Sequence, residues 1–189
     1  NARAQKNLIE ELLDVARIAS GRLDLSLTPV DLVETGRLAV DSALPSARAR
    51  DITLSFETPG EPVLVEGDAH RLQQVAANLL SNALKFSDRG GRVTLRVDTA
   101  DGARLLVSDT GSGIAPEFLP HVFDRFSQFD TSLSRPYPGL GLGLWVVRQI
   151  VEAHGGTAFA LSEGPGCGTT IVVTMPALAR EAARRAPPR

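Results

Sequence analysis

The sequence has very little cysteine, few aromatic residues and no excess of charge of either sign. Cys167 is the only cysteine among the 189 residues, which excludes an intrachain disulfide. Because no second thiol or nearby histidine accompanies it, neither a zinc site nor a cysteine nucleophile is indicated. Aromatic residues make up 5% of the chain and the net charge is −2 at pH 7, so no basic, stacking surface for nucleic acid is predicted.

Long apolar runs are also absent. No stretch approaches the roughly 18 apolar residues of a membrane span, and the first residues lack the pattern of a signal peptide. We therefore expect a cytoplasmic setting and no membrane contact by this segment. The hydrophobic content of 43% suffices for one sizeable core and a small appendage. Because the chain begins with Asn1 rather than Met, we expect a fragment of a longer protein.

The two ends of the chain differ from its middle. Residues 1 to about 20 carry apolar residues at helical spacing and stop near Gly21, which predicts one amphipathic helix. So wide an apolar stripe requires a partner helix from an upstream segment or a second chain. We place a domain boundary near Thr28, and we interpret the basic tail from Ala177 as a frayed linker.

Between these ends, strand and helix patterns are mixed. Alternating or short apolar runs predict strands at 23–27, 52–56, 63–65, 93–97, 105–107, 157–161 and 169–175. Pro29 is expected to end the first of them. Helical patterns with capping residues predict helices from Asp31 toward Pro45, from Asp68 to about Ser87, from Pro116 to His121 and from Trp145 to about His154.

The helix that opens at Asp68 carries polar residues on one face. Asn78, Asn82 and Lys85 follow one another at steps of four and three, so their side chains emerge from the same side of the helix. A carboxamide oxygen is a hard ligand that suits Mg²⁺, and a lysine suits phosphate oxygens. Taken alone, three polar residues are better explained as a solvated helix face. The glycine-rich elements further along decide between the two interpretations.

Two glycine-rich stretches flank an aperiodic segment. Asp109-Thr-Gly111-Ser-Gly113 places a carboxylate at a strand end before a turn that can approach a ligand closely. Gly139-Leu-Gly141-Leu-Gly143-Leu144 opens a helix whose N-terminus could hold phosphates. A dinucleotide fingerprint would need glycine at Leu144, and a P-loop would need a Gly-Lys pair, which the chain lacks. Residues 127–139 have the length and character of a mobile lid.

Five motifs in order resemble the ATP-binding catalytic domain of bacterial two-component sensor histidine kinases. Residues 78–87 are similar to the N box of that family, 109–114 to its first glycine box and 123–126 to its F box. Residues 139–144 and 166–170 are similar to its second and third glycine boxes, and residues 7–27 resemble the end of its second dimerisation helix with the strand that follows.

The resemblance implies the fold and the domain organisation. The expected fold class is α+β, a two-layer α/β sandwich of the Bergerat type. In it, a mixed sheet is packed on one face by helices and is preceded by one amphipathic helix. The expected domains are a dimerisation remnant at 1–27, the ATP-binding domain at 28–178 and a basic tail at 179–189.

The resemblance also implies ATP and Mg²⁺ as ligands. Asp109 would accept a hydrogen bond from the adenine amino group, and Asn82 would ligate Mg²⁺. Lys85 would meet phosphate oxygens and Asn78 would support the metal shell, so these two and Asn82 form the expected catalytic set. The expected nucleotide-binding residues are Asn78, Asn82, Lys85, Phe86, Asp109, Gly111, Gly113, Ile114, Phe126, Gly139, Leu140, Gly141, Leu142, Gly143, Leu144 and Thr169.

Asn78 bears on the type of reaction. Hydrolysing relatives, the gyrase and mismatch-repair ATPases, carry a glutamate base at this place, and a neutral amide cannot deprotonate water. The resemblance therefore favours phosphoryl transfer to a histidine over efficient hydrolysis. Leu140 and Pro138 replace the threonine and glycine that are usual in the second glycine box. The sequence therefore does not decide whether the lid closes or whether this box contacts the phosphates.

No histidine of the chain resembles the family's acceptor. His70, His121 and His154 are each better explained locally, so the acceptor is expected on a dimerisation helix that precedes residue 1. The expected partners are that histidine, the receiver domain of a response regulator and, in the full-length protein, a second copy in a homodimer. Two alternatives remain. One is a serine kinase of the anti-sigma-factor type, against which the helix at 1–20 argues. The other is a degenerate ATP-binding module, which only Leu140 and Pro138 favour.

Overall fold

The computed structural model of the chain describes residues 23–127 and 141–178. These ranges contain seven strands, three α-helices and a 3₁₀ turn at Leu119–His121. In chain order the strands and helices are β1 (Thr28–Asp31), α1 (Leu32–Ala49), β2 (Thr53–Glu57), β3 (Leu64–Gly67), α2 (Ala69–Phe86), β4 (Arg92–Asp98), β5 (Ala103–Asp109), α3 (Gly143–Ala153), β6 (Thr157–Leu161) and β7 (Thr169–Met175).

A five-stranded sheet forms one layer, with strand order β2-β4-β5-β7-β6. Only β2 and β4 are parallel, and the other neighbours are antiparallel. Along β4, alternate residues Val93, Leu95 and Val97 are almost completely buried, as expected when one face of a sheet packs on a core. They belong to the same core cluster as the apolar faces of the three helices. The expected mixed sheet with helices on one face is confirmed.

Helix α2 runs through the middle of the helical layer. Its N-cap, Asp68, accepts a hydrogen bond from the backbone N–H of Arg71 at 3.1 Å, which satisfies one of the free donors at the helix start. The buried face includes Leu72, Leu79 and Leu80, each at most 2% exposed. Burial of a leucine side chain contributes about 1.5–3 kcal/mol. The opposite face of α2 is thereby directed away from the core.

The prediction of a strand at 23–27 is wrong. Those residues have no regular structure, and the strand is β1, which contains Pro29 instead of ending there. Strand β1 pairs only with β3, in a separate two-stranded sheet where Pro29 lies opposite Glu66. A strand with a single neighbour has an unpaired edge, and proline, which lacks an N–H, is tolerated there.

Two helix boundaries also differ from the predicted ones. Helix α1 continues past Pro45 to Ala49, because Pro45 lies on the exposed side and Ala47, at 1% exposure, packs the last turn into the core. The helix predicted from Pro116 is reduced to the 3₁₀ turn, which contains Pro120. A proline at that place has no N–H for an α-helical bond.

The last described residues are paired and not frayed. Ala177 forms a β-bridge with Val65, and the N–H of Leu178 donates to the carbonyl of Leu64 at 2.8 Å. The helix predicted at 1–20, most of the lid predicted at 127–139 and the tail from 179 lie outside the described residues. Within the part of the chain that the structure describes, no helix combines the length and the apolar character of a membrane span.

Candidate functional site

The amides of α2 meet the first residue of α3. The Nδ2 of Asn78 donates to the carbonyl of Gly143 at 3.4 Å, and a Cβ placed on Gly143 would lie 3.7 Å from the Nδ2 of Asn82. The N–H groups of a first helical turn have no intrahelical partner, and the N-cap of α3, Leu142, has no side chain that could cap them. The carboxamides of α2 therefore lie beside the first turn of α3, whose N–H groups have no side-chain cap.

Lys85 and Phe86 lie at the end of α2. The Nζ of Lys85 is 5.0 Å from the centroid of the Phe86 ring, a distance typical of a cation–π contact. Arg50 holds this end of the helix, since its Nη2 donates to the carbonyl of Lys85 at 3.2 Å. Phe86 is 46% exposed. An aromatic face and an ammonium group therefore lie one turn beyond Asn82.

Asp109 ends β5, and its carboxylate is held by two backbone donors. Its Oδ1 accepts a hydrogen bond from the N–H of Gly111 at 2.8 Å, and the N–H of Thr169 also donates to the carboxylate. Burial nevertheless raises the pKa of Asp109 above its ordinary range, because the two hydrogen bonds do not offset the loss of solvent. A carboxylate in this setting is oriented and half-buried, which suits it to accept a ligand's hydrogen bond.

The loop that follows Asp109 is pressed against the end of α2. The N–H of Ser112 donates to the carbonyl of Phe86 at 3.1 Å, and a Cβ on Gly111 would overlap that same carbonyl oxygen. Only glycine fits at position 111. The first glycine-rich loop, residues 109–114, is therefore fixed relative to Asn82 and Lys85.

A second loop, residues 162–168 between β6 and β7, packs on the other side of the first. The N–H of Gly166 donates to the carbonyl of Ser112 at 2.7 Å, and the N–H of Gly168 donates to that of Gly111 at 3.2 Å. Gly113 has φ +63°, and a Cβ there would overlap the carbonyl oxygen of Gly164. The two loops are in direct backbone contact.

The remaining predicted residues have unequal access to a ligand. Leu142 is 1% exposed, so it could contribute only its backbone, and Ile114 and Leu144 pack against the core. Phe126 is 63% exposed. Its carbonyl carbon would lie 2.9 Å from a Cβ on Gly141, which has φ +67°.

Thr169 lies beside Asp109, whereas Gly139 and Leu140 lie outside the described residues. No contact with a ligand tests these assignments, which stay predictions.

Sequence reasoning missed Ser162 and Arg50. The hydroxyl of Ser162 bonds both glycine-rich loops, and Arg50 fixes the end of α2. Ser162 is the first residue of a loop with three glycines, which is a signal that could have drawn attention to it. Arg50 follows α1 and has no comparable signal, because its partner is a backbone carbonyl 35 residues away.

Mg²⁺ would find few ligands here other than Asn82. In the two described ranges no group of three His, Cys, Asp or Glu side chains is arranged to hold a metal ion. A carboxamide oxygen is a suitable but single ligand for Mg²⁺, which usually retains water and takes phosphate oxygens as further ligands. The residues present therefore fit a metal that arrives with a nucleotide.

The family model of histidine kinase-, DNA gyrase B- and HSP90-like ATPases matches residues 67–179. This match includes both glycine-rich loops, α2 and α3, and covers 113 of the 189 residues. The chain therefore belongs to this family of ATPases, in which ATP is the expected nucleotide.

Several curated relatives are named as sensor histidine kinases. The probable sensor histidine kinase TcrY of Mycobacterium tuberculosis is 42% identical over 171 residues, which are 89% of this chain and 35% of the relative. The uncharacterized sensor-like histidine kinase R01002 of Rhizobium meliloti is 38% identical over 184 residues, 95% of this chain and 34% of the relative. The chain spans about a third of the length of these two proteins.

Solved structures similar to this chain are also histidine kinases. A mycobacterial sensor histidine kinase, MprB, superposes with a TM-score of 0.69 at 36% identity, over 79% of this chain and 98% of that one. Full-length ShkA in complex with AMPPNP superposes with a TM-score of 0.80 at 30% identity, over 92% of this chain and 36% of that one. The chain is thus identified as the ATP-binding catalytic domain of a sensor histidine kinase.

Proposed function

We propose that this chain binds ATP with Mg²⁺ between α2, α3 and the two glycine-rich loops, and presents the γ-phosphoryl group to a histidine outside the chain. The observation that carries the proposal is the meeting of Asn78 and Asn82 with Gly143 at the start of α3. It joins amides that suit a metal to N–H groups that suit phosphates. ShkA, a structural relative, was solved in complex with AMPPNP, which supports a nucleotide as the ligand.

The adenine base would lie at the end of the site formed by Asp109 and Thr169. The carboxylate of Asp109, fixed by its two backbone donors, would accept a hydrogen bond from the adenine amino group. Thr169 would add its hydroxyl, and Gly111 and Gly113 would line the adenine side through their backbone. Phe86, half exposed at the edge, would cover the nucleotide.

The phosphates would lie at the opposite end. Asn82 would hold Mg²⁺ through its carboxamide oxygen, with Asn78 supporting the metal shell from one turn earlier. Lys85 would contact phosphate oxygens as a point charge, and the backbone N–H groups of Gly141 and Gly143 would approach them at the start of α3. Bound Mg²⁺ would neutralise the negative charge that accumulates on the phosphate oxygens.

The residues present favour transfer over hydrolysis. Asn78 lies where a hydrolytic enzyme would need a base, and its amide cannot take a proton from water. A neutral imidazole attacks through its unprotonated ring nitrogen, so no proton has to leave the attacking atom, and the proton on the other ring nitrogen can be released to solvent after transfer. The chain would then act by positioning the phosphoryl group and stabilising its charge.

Two of the three described histidines are poor acceptors. Both ring nitrogens of His154 are bonded, Nδ1 donating to the carbonyl of Ile150 at 2.7 Å and Nε2 accepting from the N–H of Asp68 at 3.0 Å. His121 lies 2.9 Å from the carboxylate of Asp124. We propose that the acceptor is a histidine on a preceding dimerisation helix, that the full-length protein is a homodimer and that a receiver domain accepts the phosphoryl group next.

A titration calorimeter can test the binding part. ATP titrated into the chain in the presence of Mg²⁺ should bind at one site per chain, and removal of Mg²⁺ should weaken binding. Guanosine triphosphate should bind less well, since its base presents a carbonyl where adenine has an amino group. Absence of ATP binding by the folded chain would contradict the proposal.

A further inference from the structure

The hydroxyl of Ser162 connects the two glycine-rich loops. Its Oγ accepts a hydrogen bond from the N–H of Ile114 at 2.9 Å and donates to the carbonyl of Gly168 at 2.7 Å. The N–H of Gly164, at 3.4 Å, is a longer third contact, and its carbonyl lies 3.3 Å away as an alternative acceptor. One hydroxyl group thus bonds the end of the first loop and the end of the second.

The other connections between the two loops are backbone hydrogen bonds. They are the bonds from Gly166 to Ser112 and from Gly168 to Gly111, at 2.7 and 3.2 Å. Glycine at 113 lets the loops approach so closely that no side chain could be inserted there. Of the hydrogen bonds seen between loops 109–114 and 162–168, the one from the N–H of Ile114 to the hydroxyl of Ser162 is therefore the one that a side-chain substitution can remove.

The connected loops hold the two sides of the base-recognition end. Asp109 precedes the first loop and Thr169 follows the second, and the two residues are directly paired across β5 and β7. A Cβ on Gly168 would overlap the backbone carbonyl oxygen of Asp109, so the second loop lies directly against the backbone that carries this carboxylate. The position of Asp109 therefore depends on the loops staying together.

We propose that Ser162 is a positioning residue for adenine recognition, which fastens the two glycine-rich loops so that Asp109 keeps its orientation. The inference rests on the proposed function, because it assumes that Asp109 accepts the adenine amino group. Loss of the hydroxyl leaves the N–H of Ile114 and the carbonyl of Gly168 without this partner. The loops would then open more often, and the fraction of molecules able to recognise adenine would fall.

The test compares ATP with inosine triphosphate, which carries a carbonyl oxygen in place of the adenine amino group. The wild-type chain should prefer ATP. Ser162→Ala should lower ATP affinity by about 3- to 30-fold, with a much smaller change for inosine triphosphate and none for inorganic tripolyphosphate. A general loss of structure would weaken all three ligands alike, so the ratio of the two nucleotide affinities separates positioning from stability.

Three further variants make the result specific. Ser162→Thr keeps a hydroxyl and should retain the preference for ATP, whereas Ser162→Cys, close in shape but a weak hydrogen-bonding group, should lose it. Thr157→Ala removes an exposed hydroxyl at the other end of β6 and should change nothing. If Ser162→Ala does not fold, the ratio of ATP affinity to inosine triphosphate affinity is measured with Ser162→Cys instead.

The outcomes that overturn the inference are distinct from failure of the proposed function. A wild-type preference for ATP in folded Ser162→Ala or Ser162→Cys would overturn it. Loss of the preference in Ser162→Thr as well would assign the effect to packing and overturn it too. Asp109→Ala is measured in parallel. If Asp109→Ala keeps the preference for ATP, Asp109 does not recognise the base and the inference is wrong as well. If Asp109→Ala loses the preference and Ser162→Ala keeps it, only the role of Ser162 is refuted.

Discussion

Asp109 lies directly opposite Thr169 in the antiparallel pair of β5 and β7, and the backbone N–H of Thr169 donates to its carboxylate. The two residues are 60 positions apart in the chain, yet the register of the sheet makes them neighbours. The backbone N–H groups of Gly111 and Thr169 orient this carboxylate at the end of β5. This acceptor is the basis of the adenine recognition that we propose, and two predictions depend on it.

The first prediction concerns the strength of base recognition. Asp109→Ala removes a hydrogen bond to a charged group, worth about 1.5–3 kcal/mol, so ATP affinity should fall by about 10- to 150-fold. The fold should survive, because the substitution also removes a carboxylate whose burial is unfavourable. Titration of a fluorescent ATP analogue measures the affinity. Glu66→Ala, which removes an exposed carboxylate of β3, is the control. Equal affinities in folded wild type and Asp109→Ala would refute the assignment.

The second prediction concerns pH. Because the pKa of Asp109 is raised by burial, its ionised form should be lost at a pH above the ordinary aspartate value of about 3.9. ATP affinity should therefore weaken as the pH falls through that raised pKa. The free energy of unfolding changes in the opposite direction, because the contribution of Asp109 to stability improves as the pH falls. The folded state holds the proton more readily than the unfolded state, so the cost of the ionised carboxylate is relieved at low pH.

Asp109→Asn distinguishes the effect of Asp109 ionisation on ATP affinity from the effect of the ATP phosphates, which also titrate. This variant should bind ATP more weakly, and the ratio of its affinity to that of wild type should approach one as the pH is lowered. Affinities measured at several pH values, with circular dichroism to confirm folding at each, provide the ratio. A ratio that does not change with pH would contradict ionisation of Asp109 as the cause.

The third prediction concerns the metal. Since Asn82 is the one protein ligand that we assign to Mg²⁺, the metal should bind only together with a nucleotide. Asn82→Ala should reduce the Mg²⁺-dependent gain in ATP affinity by about 10-fold or more, with less effect on binding in the presence of a chelator. Ser81→Ala, an exposed position one residue earlier, is the control. If chelation of Mg²⁺ weakens binding equally in wild type and Asn82→Ala, then Asn82 is not the ligand.

The fourth prediction concerns the stability of α2. Burial alone would raise the pKa of Asp68, but hydrogen bonds from the backbone N–H groups of Arg71, Ser26 and His70 hold it below its ordinary value. Asp68→Ala removes an N-cap and should lower the free energy of unfolding by about 0.5–2 kcal/mol. Asp68→Asn keeps a good cap and should cost less. Urea unfolding monitored by circular dichroism measures both.

The same carboxylate predicts a dependence of stability on pH. A depressed pKa means that ionised Asp68 stabilises the fold above the pKa of the unfolded chain, about 3.9, and that this contribution is lost as the pH falls through the folded pKa. The difference in stability between wild type and Asp68→Asn should therefore shrink in acid. A difference that stays constant from pH 7 to pH 3 would show that the charge of Asp68 contributes nothing.

The sequence predicted the elements whose signals are local. Helix α2 followed from the Asp68 cap and the apolar spacing of Leu72, Leu79 and Leu80, and the strands β6 and β7 were predicted with the bounds that the structure shows. Strand β1 was misplaced because Pro29 was interpreted as a break. Whether a proline breaks a strand depends on how many neighbours the strand has, and this is a property of the sheet and not of the local sequence.

In the site, too, features with a local sequence signal could be predicted and features that depend on distant strands could not. The polar face of α2 and the glycine turn after Asp109 could be predicted from spacing and residue type, and the resemblance to a family supplied their roles. The pairing of Asp109 with Thr169 could not be predicted, and neither could the two hydrogen bonds of the Ser162 hydroxyl. Both depend on the register between strands that are distant in the chain, which no local periodicity encodes.

The last prediction concerns phosphoryl transfer. The chain should bind ATP, hydrolyse it slowly and fail to label itself on histidine, because Asn78 cannot act as a base and both ring nitrogens of His154 are already bonded. It should nevertheless be competent in transfer, since that reaction depends mainly on placing a nucleophile in line with a metal-bound γ-phosphate. Extending the chain at its N-terminus by the dimerisation segment with its expected acceptor histidine should produce labelling from γ-labelled ATP.

The label should be acid-labile and base-stable, as phosphohistidine is, and Asn82→Ala in the extended chain should abolish it while Ser81→Ala should not. Strong labelling of the present chain on His70, His121 or His154 would refute the assignment of the acceptor to a preceding helix. Persistent absence of labelling in the extended chain, with ATP bound at the site and the acceptor histidine present, would instead indicate a domain that binds nucleotide without transferring its phosphoryl group. The two results differ because the first tests where the nucleophile lies and the second tests whether Asn78, Asn82 and Lys85 suffice to direct the phosphoryl group toward it.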